Sequence, residues 1–158
     1  MGNVDVRPAT AEDAPKVAAI WYQGWQDGHL GNVPDALTAA RTKESFWQRA
    51  PKRVEDTTVA IVGGAVAGFV MVVGDEVEQV YVSAEHRGSG VAALLIKEAE
   101  NQVARNGHDR AWLAVVPGNT RARKFYERNG WVDEGPFDHQ AVGMHVPANR
   151  YVKSVKQN

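Results

Sequence analysis

The stretch "EHRGSGVAALL", residues 85 to 95, sets an arginine, a serine and two glycines just before an apolar, helix-forming run. Glycines there let main-chain amides stand free at the positive end of a helix, an arrangement suited to an anion. A Walker loop requires Gly-Lys-Ser/Thr, and no lysine follows these glycines. The dinucleotide pattern G-x-G-x-x-G/A is met by Gly88, Gly90 and Ala93. That pattern also needs an acidic residue closing the next strand to hold a ribose, and the next strand ends in "VVPGN". It is further out of place after an antiparallel hairpin. Two readings stay open: another kind of anion-binding turn, or a strand-to-helix turn that binds nothing.

The elements that must carry this turn can be read from periodicity. Residues 4–9 alternate and stop at Pro8, as a short strand does. Thr10 is a helix cap with Glu12 and Asp13 in the first turn. Val17, Trp21 and Trp25 then form one helical face, closed by Gly28 and Gly31. A second helix is expected between Pro34 and Ala50. Strands 57–62 and 65–73 flank Gly63-Gly64, a hairpin signal, and 76–83 is a third strand. The helix 91–107 places Val91, Leu95, Ala99 and Val103 on one face and stops at Gly107. A compact apolar strand (111–116) follows, then a helix (119–130) capped by Asn119, then two closing strands, "WVDEGPF" and "GMHVPANRYVKSV". The order defines a mixed α+β layer fold. Only residues 76 to 116 show the strand–helix–strand pattern of a parallel crossover.

The totals narrow the function classes. A chain of 158 residues is the size of one domain, taken here as 1–158. A formal net charge of −1 gives no general attraction to nucleic acid or to an anionic membrane. No apolar run approaches the ~20 residues needed to span a bilayer. "MGNVDVRPAT" has no apolar segment of the secretory kind, and Val6 stands where a myristoylation signal at Gly2 would need Ser or Thr. The absence of cysteine excludes disulfides and thiolate chemistry. A cytoplasmic location is expected. His139 and His145 are too few for a metal site, so none is expected.

"VYVSAEHRGSGVAALL" resembles the acetyl-coenzyme A loop of the GNAT acetyltransferase superfamily, whose pattern Q/R-x-x-G-x-G/A falls on Arg87, Gly90 and Ala92. "NTRARKFYERNGW" resembles the family's later motif N-x-x-A-x-x-F-Y-x-x-x-G-F, with Trp131 for the last aromatic. Asn119 lies 32 residues beyond Arg87 (119 − 87), with one helix and one strand between. Ala122, Phe125, Tyr126 and Asn129 share one face of that helix. The resemblance covers nearly the whole chain.

It implies a mostly antiparallel seven-stranded sheet, splayed between the fourth and fifth strands and flanked by about four helices. It also implies acetyl-coenzyme A as co-substrate, with no metal. Its pyrophosphate would lie on the amides from Arg87 through Gly88, Ser89, Gly90 and Val91 to Ala92. Its pantetheine arm would lie along Val80, Tyr81 and Val82 and against Asn119, Ala122 and Tyr126. The implied reaction is direct transfer of the acetyl group to a primary amine of a small molecule or peptide. The amide of Val82 would polarise the acetyl carbonyl, Tyr126 would protonate the departing sulfur and Glu78 would act as base. The plain alternatives are core packing for Phe125 and an exposed strand position for Glu78. Trp25 and His29 are expected at the acceptor wall, although Trp21 and Trp25 also suit a core. A closing strand of this kind suggests a homodimer. A non-catalytic acetyl-coenzyme A sensor and a protein acetyltransferase are the alternative functions.

Overall fold

The computed structural model describes residues 3–156; Met1 and Gly2, the residue weighed above as a lipid acceptor, lie outside them. Seven strands form one sheet: β1 (Val4–Pro8), β2 (Thr57–Val62), β3 (Ala65–Val73), β4 (Glu76–Val82), β5 (Arg110–Val115), β6 (Val132–Ala141) and β7 (Met144–Ser154). Their spatial order is β1-β2-β3-β4-β5-β7-β6, and every neighbouring pair is antiparallel except β4 with β5. Five α-helices flank the sheet: α1 (Ala14–His29), α2 (Asp35–Ala40), α3 (Lys43–Arg49), α4 (Val91–Arg105) and α5 (Thr120–Arg128). No helix among the described residues is long and apolar enough to cross a membrane.

The helices follow from their sequences. Thr10 and Asp13 form a capping box ahead of α1, which Pro15 enters at a first-turn position where it costs nothing. Trp21 of α1 is fully buried, edge-on to Phe46 of α3 (5.4 Å) and Phe69 of β3 (6.0 Å). The single helix expected between Pro34 and Ala50 is two. Arg41 leaves the helical region, and Thr42 starts α3 by accepting a hydrogen bond from the Ser45 amide (3.2 Å). A threonine that can cap a new helix competes with continuation of the old one. The sixth strand also runs past Phe137 to Ala141, because it pairs with β7 from Val132 to the turn at Val142-Gly143.

Two apolar clusters lie on opposite faces of the sheet. One packs α1, α2 and α3 on Val59, Phe69 and Met71. The other packs α4 and α5 on Val70, Val72, Val77 and Leu113. Along α4, Val91, Leu95, Ala99 and Val103 are all buried, as the spacing predicts. Glu100 is buried among them. Its carboxylate accepts from Lys153 of β7 (2.9 Å) and from the Trp131 indole (3.3 Å). Glu100→Ala leaves the Trp131 indole without its acceptor and Lys153 with the Asn129 carbonyl alone (2.8 Å), and is expected to cost about 2–3 kcal/mol, read by chemical denaturation. A loss below about 0.5 kcal/mol would show that water satisfies both.

The sheet is nearly divided. β4 and β5 pair only at Glu76 and Trp112, where the Trp112 amide and indole both donate to Asp75 (3.1 Å each). Beyond that point the two strands diverge. A second irregularity lies in β4 itself. The β3–β4 register shifts between Met71 and Val72, so Val77 and Val80 both pack toward α4 although three residues apart. The bulge turns Glu78 toward Arg53, on the α1 side of the sheet.

Candidate active site

The glycine turn sits where β4 gives way to α4. Gly88 and Gly90 have φ of 79° and 88°, a left-handed backbone in which a Cβ added at either position would touch nothing. Glycine is needed there for its conformation, not for space. The turn uses the Arg87 amide on Ala84 (3.4 Å) and the Ser89 amide on His86 (3.3 Å). The amides of Gly88, Gly90, Val91 and Ala92 make no backbone hydrogen bond among the described residues, and they stand at the positive end of the 15-residue α4. The Arg87 guanidinium reaches across to Asp27 of α1. Burial opposes ionisation of Asp27, but Arg87 and Gln23 outweigh it and hold the carboxyl below its usual range.

From this turn a cleft of about 480 Å³ runs down between Val80, Tyr81 and Val82 on one side and Asn119, Ala122, Phe125 and Tyr126 of α5 on the other. One wall of the cleft is a bare strand edge. Ser83 donates its amide to Ala67 of β3 (2.8 Å). Because amides alternate along a strand, those of Val82 and Val80 point the other way, into the gap beside β5.

On the opposite face of the sheet lies a smaller cavity of about 170 Å³. Trp25 and His29 line it, together with Arg41, Arg49, Glu76 and Glu78. Trp25 and His29 stack at 4.7 Å, and the His29 Nδ1 lies 2.9 Å from the Trp25 carbonyl, four residues back. Burial, and secondarily the charge of Arg41, hold the His29 imidazole neutral against the pull of that carbonyl. Trp25 is thus both core and cavity wall.

The two spaces meet through the sheet. Val80, Tyr81, Asn119, Ala122 and Tyr126 line both. The junction depends on glycines in α1. A Cβ at Gly24 would collide with the Tyr81 ring, and one at Gly28 would lie 2.6 Å from Asn119 Nδ2. Asn119 caps α5 by accepting from the Ala122 amide (3.2 Å). The helix is then pinned to β7, where Arg123 donates to the Tyr151 hydroxyl (3.1 Å) and that hydroxyl donates to Glu127 (2.8 Å). Tyr126 is buried against Trp131 and Tyr151, with ring centroids at 6.1 Å in both cases. Burial raises its phenol far above the ordinary value, so it is neutral, and a neutral phenol can donate a proton.

Of the two carboxylates on β4, Glu78 is held by Arg53 at 2.7 Å. Glu76 has no ion-pair partner among the described residues. Burial, then the negative charges of Glu78 and Asp75, push its carboxyl up to about 7. Sequence reading passed over Glu76, two residues from Glu78, and also Arg41 and Arg49. His139 lines the smaller cavity while His145 lies beside Gln140. No group of three metal-ligating side chains occurs among the described residues.

A sheet parted between two parallel strands, with a glycine turn opening into one side and a polar cavity on the other, is the arrangement that the acetyltransferase resemblance implies. The description "Acetyltransferase (GNAT) family" matches residues 18–131, and the chain belongs to that family. It is 32% identical over 130 residues to uncharacterized N-acetyltransferases of Mycobacterium tuberculosis and Mycobacterium bovis, covering 78% of this chain and 80% of theirs. Among solved structures, a GCN5-related N-acetyltransferase from Rhodopseudomonas palustris aligns with a TM-score of 0.76 at 22% identity, over 98% of this chain and 97% of that one. The PaiA N-acetyltransferase of Thermoplasma acidophilum, solved with coenzyme A, aligns at 0.72 and 16% identity over 96% and 99%. The chain is an N-acetyltransferase.

Proposed function

We propose that this enzyme moves the acetyl group of acetyl-coenzyme A directly to the primary amine of a small molecule. One observation carries the reading: the two cavities approach from opposite faces of the sheet and meet at Tyr81, Asn119 and Tyr126. The residues fit the co-substrate. Free amides at the start of α4 suit a pyrophosphate, and the bare edge of β4 suits an extended arm that pairs as a strand does.

Acetyl-coenzyme A, when bound, supplies an activated thioester acetyl group. The amides of Gly88, Gly90, Val91 and Ala92 bind its phosphates, with Arg87 at the rim. The Val80 and Val82 amides orient the pantetheine arm, and that of Val82 donates to the acetyl oxygen, where negative charge grows during attack. Tyr126 gives its proton to the departing sulfur. An amine near pKa 10 must shed a proton before it can attack, and Glu76 takes it, with Glu78 beside it setting its affinity. The acceptor enters past Trp25 and His29. A cavity of about 170 Å³ favours a small acceptor over a folded protein surface.

Ligand-dependent melting tests the co-substrate. At a hundredfold excess over its Kd, acetyl-coenzyme A should add about 3 kcal/mol, or roughly 5–10 °C in Tm. Gly90→Glu places a negative charge at the phosphate site and forces a side chain into the left-handed region, so the ligand increment should vanish. A wild-type melt unmoved by millimolar acetyl-coenzyme A would overturn the reading.

A further inference from the structure

The acceptor cavity holds two arginines that have no ion-pair partner among the described residues. Arg41 enters it from the end of α2 and Arg49 from the end of α3. Neither guanidinium makes an ion pair or a side-chain hydrogen bond among the described residues. The Nη1 of Arg49 is buried with no acceptor. Burial first, then repulsion from Arg41 and Arg53, lower the Arg49 pKa to about 10. The nearby acids do not answer this charge. Glu78 is committed to Arg53, which also holds Asp56 (3.0 Å). Glu76, its carboxyl pushed up to about 7 by burial and by Glu78 and Asp75, makes no ion pair with either arginine.

Arg49 does lie over Trp21, its Cζ 4.2 Å from the ring centroid, and over Phe46 at 5.3 Å. Stacking accounts for where the guanidinium plane rests, and it leaves the in-plane donors unused. Trp21 brings a second orphan: its indole Nε1 is also buried without a partner. A buried donor without an acceptor costs roughly 1–3 kcal/mol, and more when charged. Trp21 does not line the cavity, but Arg49 and Arg41 both do, and two unpaired guanidinium groups in one cavity describe a place where acceptor oxygens are missing.

We propose that the acceptor carries an anionic oxygen group as well as its amine, and that Arg41 and Arg49 hold that group. The substrate class is a small amino acid or a close analogue with a carboxylate or phosphinate. A planar fork of donors matches two coplanar oxygens, which a lone ammonium would not. With the anion held under α2 and α3, the amine end is left for the junction at Tyr81 and Tyr126, near Glu76. This inference rests on the acetyl-transfer reading above.

The test is thiol release from acetyl-coenzyme A with matched acceptors: free amino acids, their methyl esters and carboxamides, and an aminoalkyl phosphinate. The free acids should exceed their esters in kcat/KM by 10²–10³-fold, the usual consequence of leaving a buried charge unpaired. A strong phosphinate response with weak amino acids would place the preferred anion in the phosphinate group. Arg41→Gln and Arg49→Gln should each collapse the acid-to-ester ratio by on the order of 10²-fold, mainly through KM, while acetyl-coenzyme A still raises Tm. Esters or amides that equal or exceed the acids would overturn the proposal and leave acetyl transfer standing. Calorimetry of acids and amides on the coenzyme A complex covers slow turnover, and tighter binding of the amides would overturn it equally. Loss of the wild-type ligand melt would instead sink the parent reading.

Discussion

Tyr126→Phe is expected to lower turnover by roughly 10²–10⁴-fold, the usual worth of a positioned acid. The substitution removes one hydroxyl and keeps the ring that packs on Trp131 and Tyr151. That hydroxyl makes no hydrogen bond with a protein side chain among the described residues, so stability should change little. Burial keeps the phenol protonated, although the raised pKa also makes it a weaker acid. A phenol that does not ionise in the working range always has its proton available, and it can share that proton by a hydrogen bond with the sulfur as negative charge grows there. Affinity for acetyl-coenzyme A should hardly move, because the proposed contacts are to main chain. Steady-state rates and calorimetry on one preparation separate the two effects. Turnover within a few-fold of wild type would make Tyr126 a packing residue and leave the sulfur to water.

Glu76→Gln carries the second large effect. A carboxyl near 7 is mostly proton-free above that pH and mostly protonated below it. If it accepts the amine's proton, kcat/KM in the wild type should rise through a limb near pH 7. In Glu76→Gln that limb should disappear, with a loss of about 10²–10⁴-fold at neutral pH that shrinks at high pH, where free amine is abundant. Glu78→Gln has a different signature. It removes a negative charge that helps hold the Glu76 proton, so the Glu76 pKa falls and the limb moves to lower pH. A limb that survives in Glu76→Gln but is lost in Glu78→Gln would transfer the role of base to Glu78.

The difference between these two glutamates explains what could be read in advance. Hairpin, crossover helix, glycine turn and capped α5 are local patterns, and each stands within a few residues of its expected bounds. The Thr42 cap is equally local, but its strength relative to the preceding helix is set by packing around Phe46 and Leu37. "EVEQVYV" alternates cleanly, so Glu76, Glu78, Val80 and Val82 would share a face. The bulge against β3 breaks that alternation, and a bulge is a property of two paired strands and not of one segment, as Met71 with Gln79 and Val72 with Val77 show. Trp25 and His29 could be placed at a cavity wall only through the family resemblance, since their helical face alone suits a core equally well. Arg41 and Arg49 could not. Lone arginines on short helices look like solvent-facing charge until the tertiary fold turns them inward.

The single pairing of Glu76 with Trp112 has a consequence for the empty enzyme. Four strands lie on one side of the parting and three on the other, and each side presents an unpaired strand edge within the molecule. Open edges invite a strand from another chain. Here the opening is narrow and leads inward, so only something thin and extended can enter. A nascent or heat-loosened molecule, with α5 not yet seated, loses that protection and exposes both edges at once. The hazard of aggregation is then greatest when the cleft is vacant, and a cell rich in the small ligand that fills it would keep more of the protein in solution.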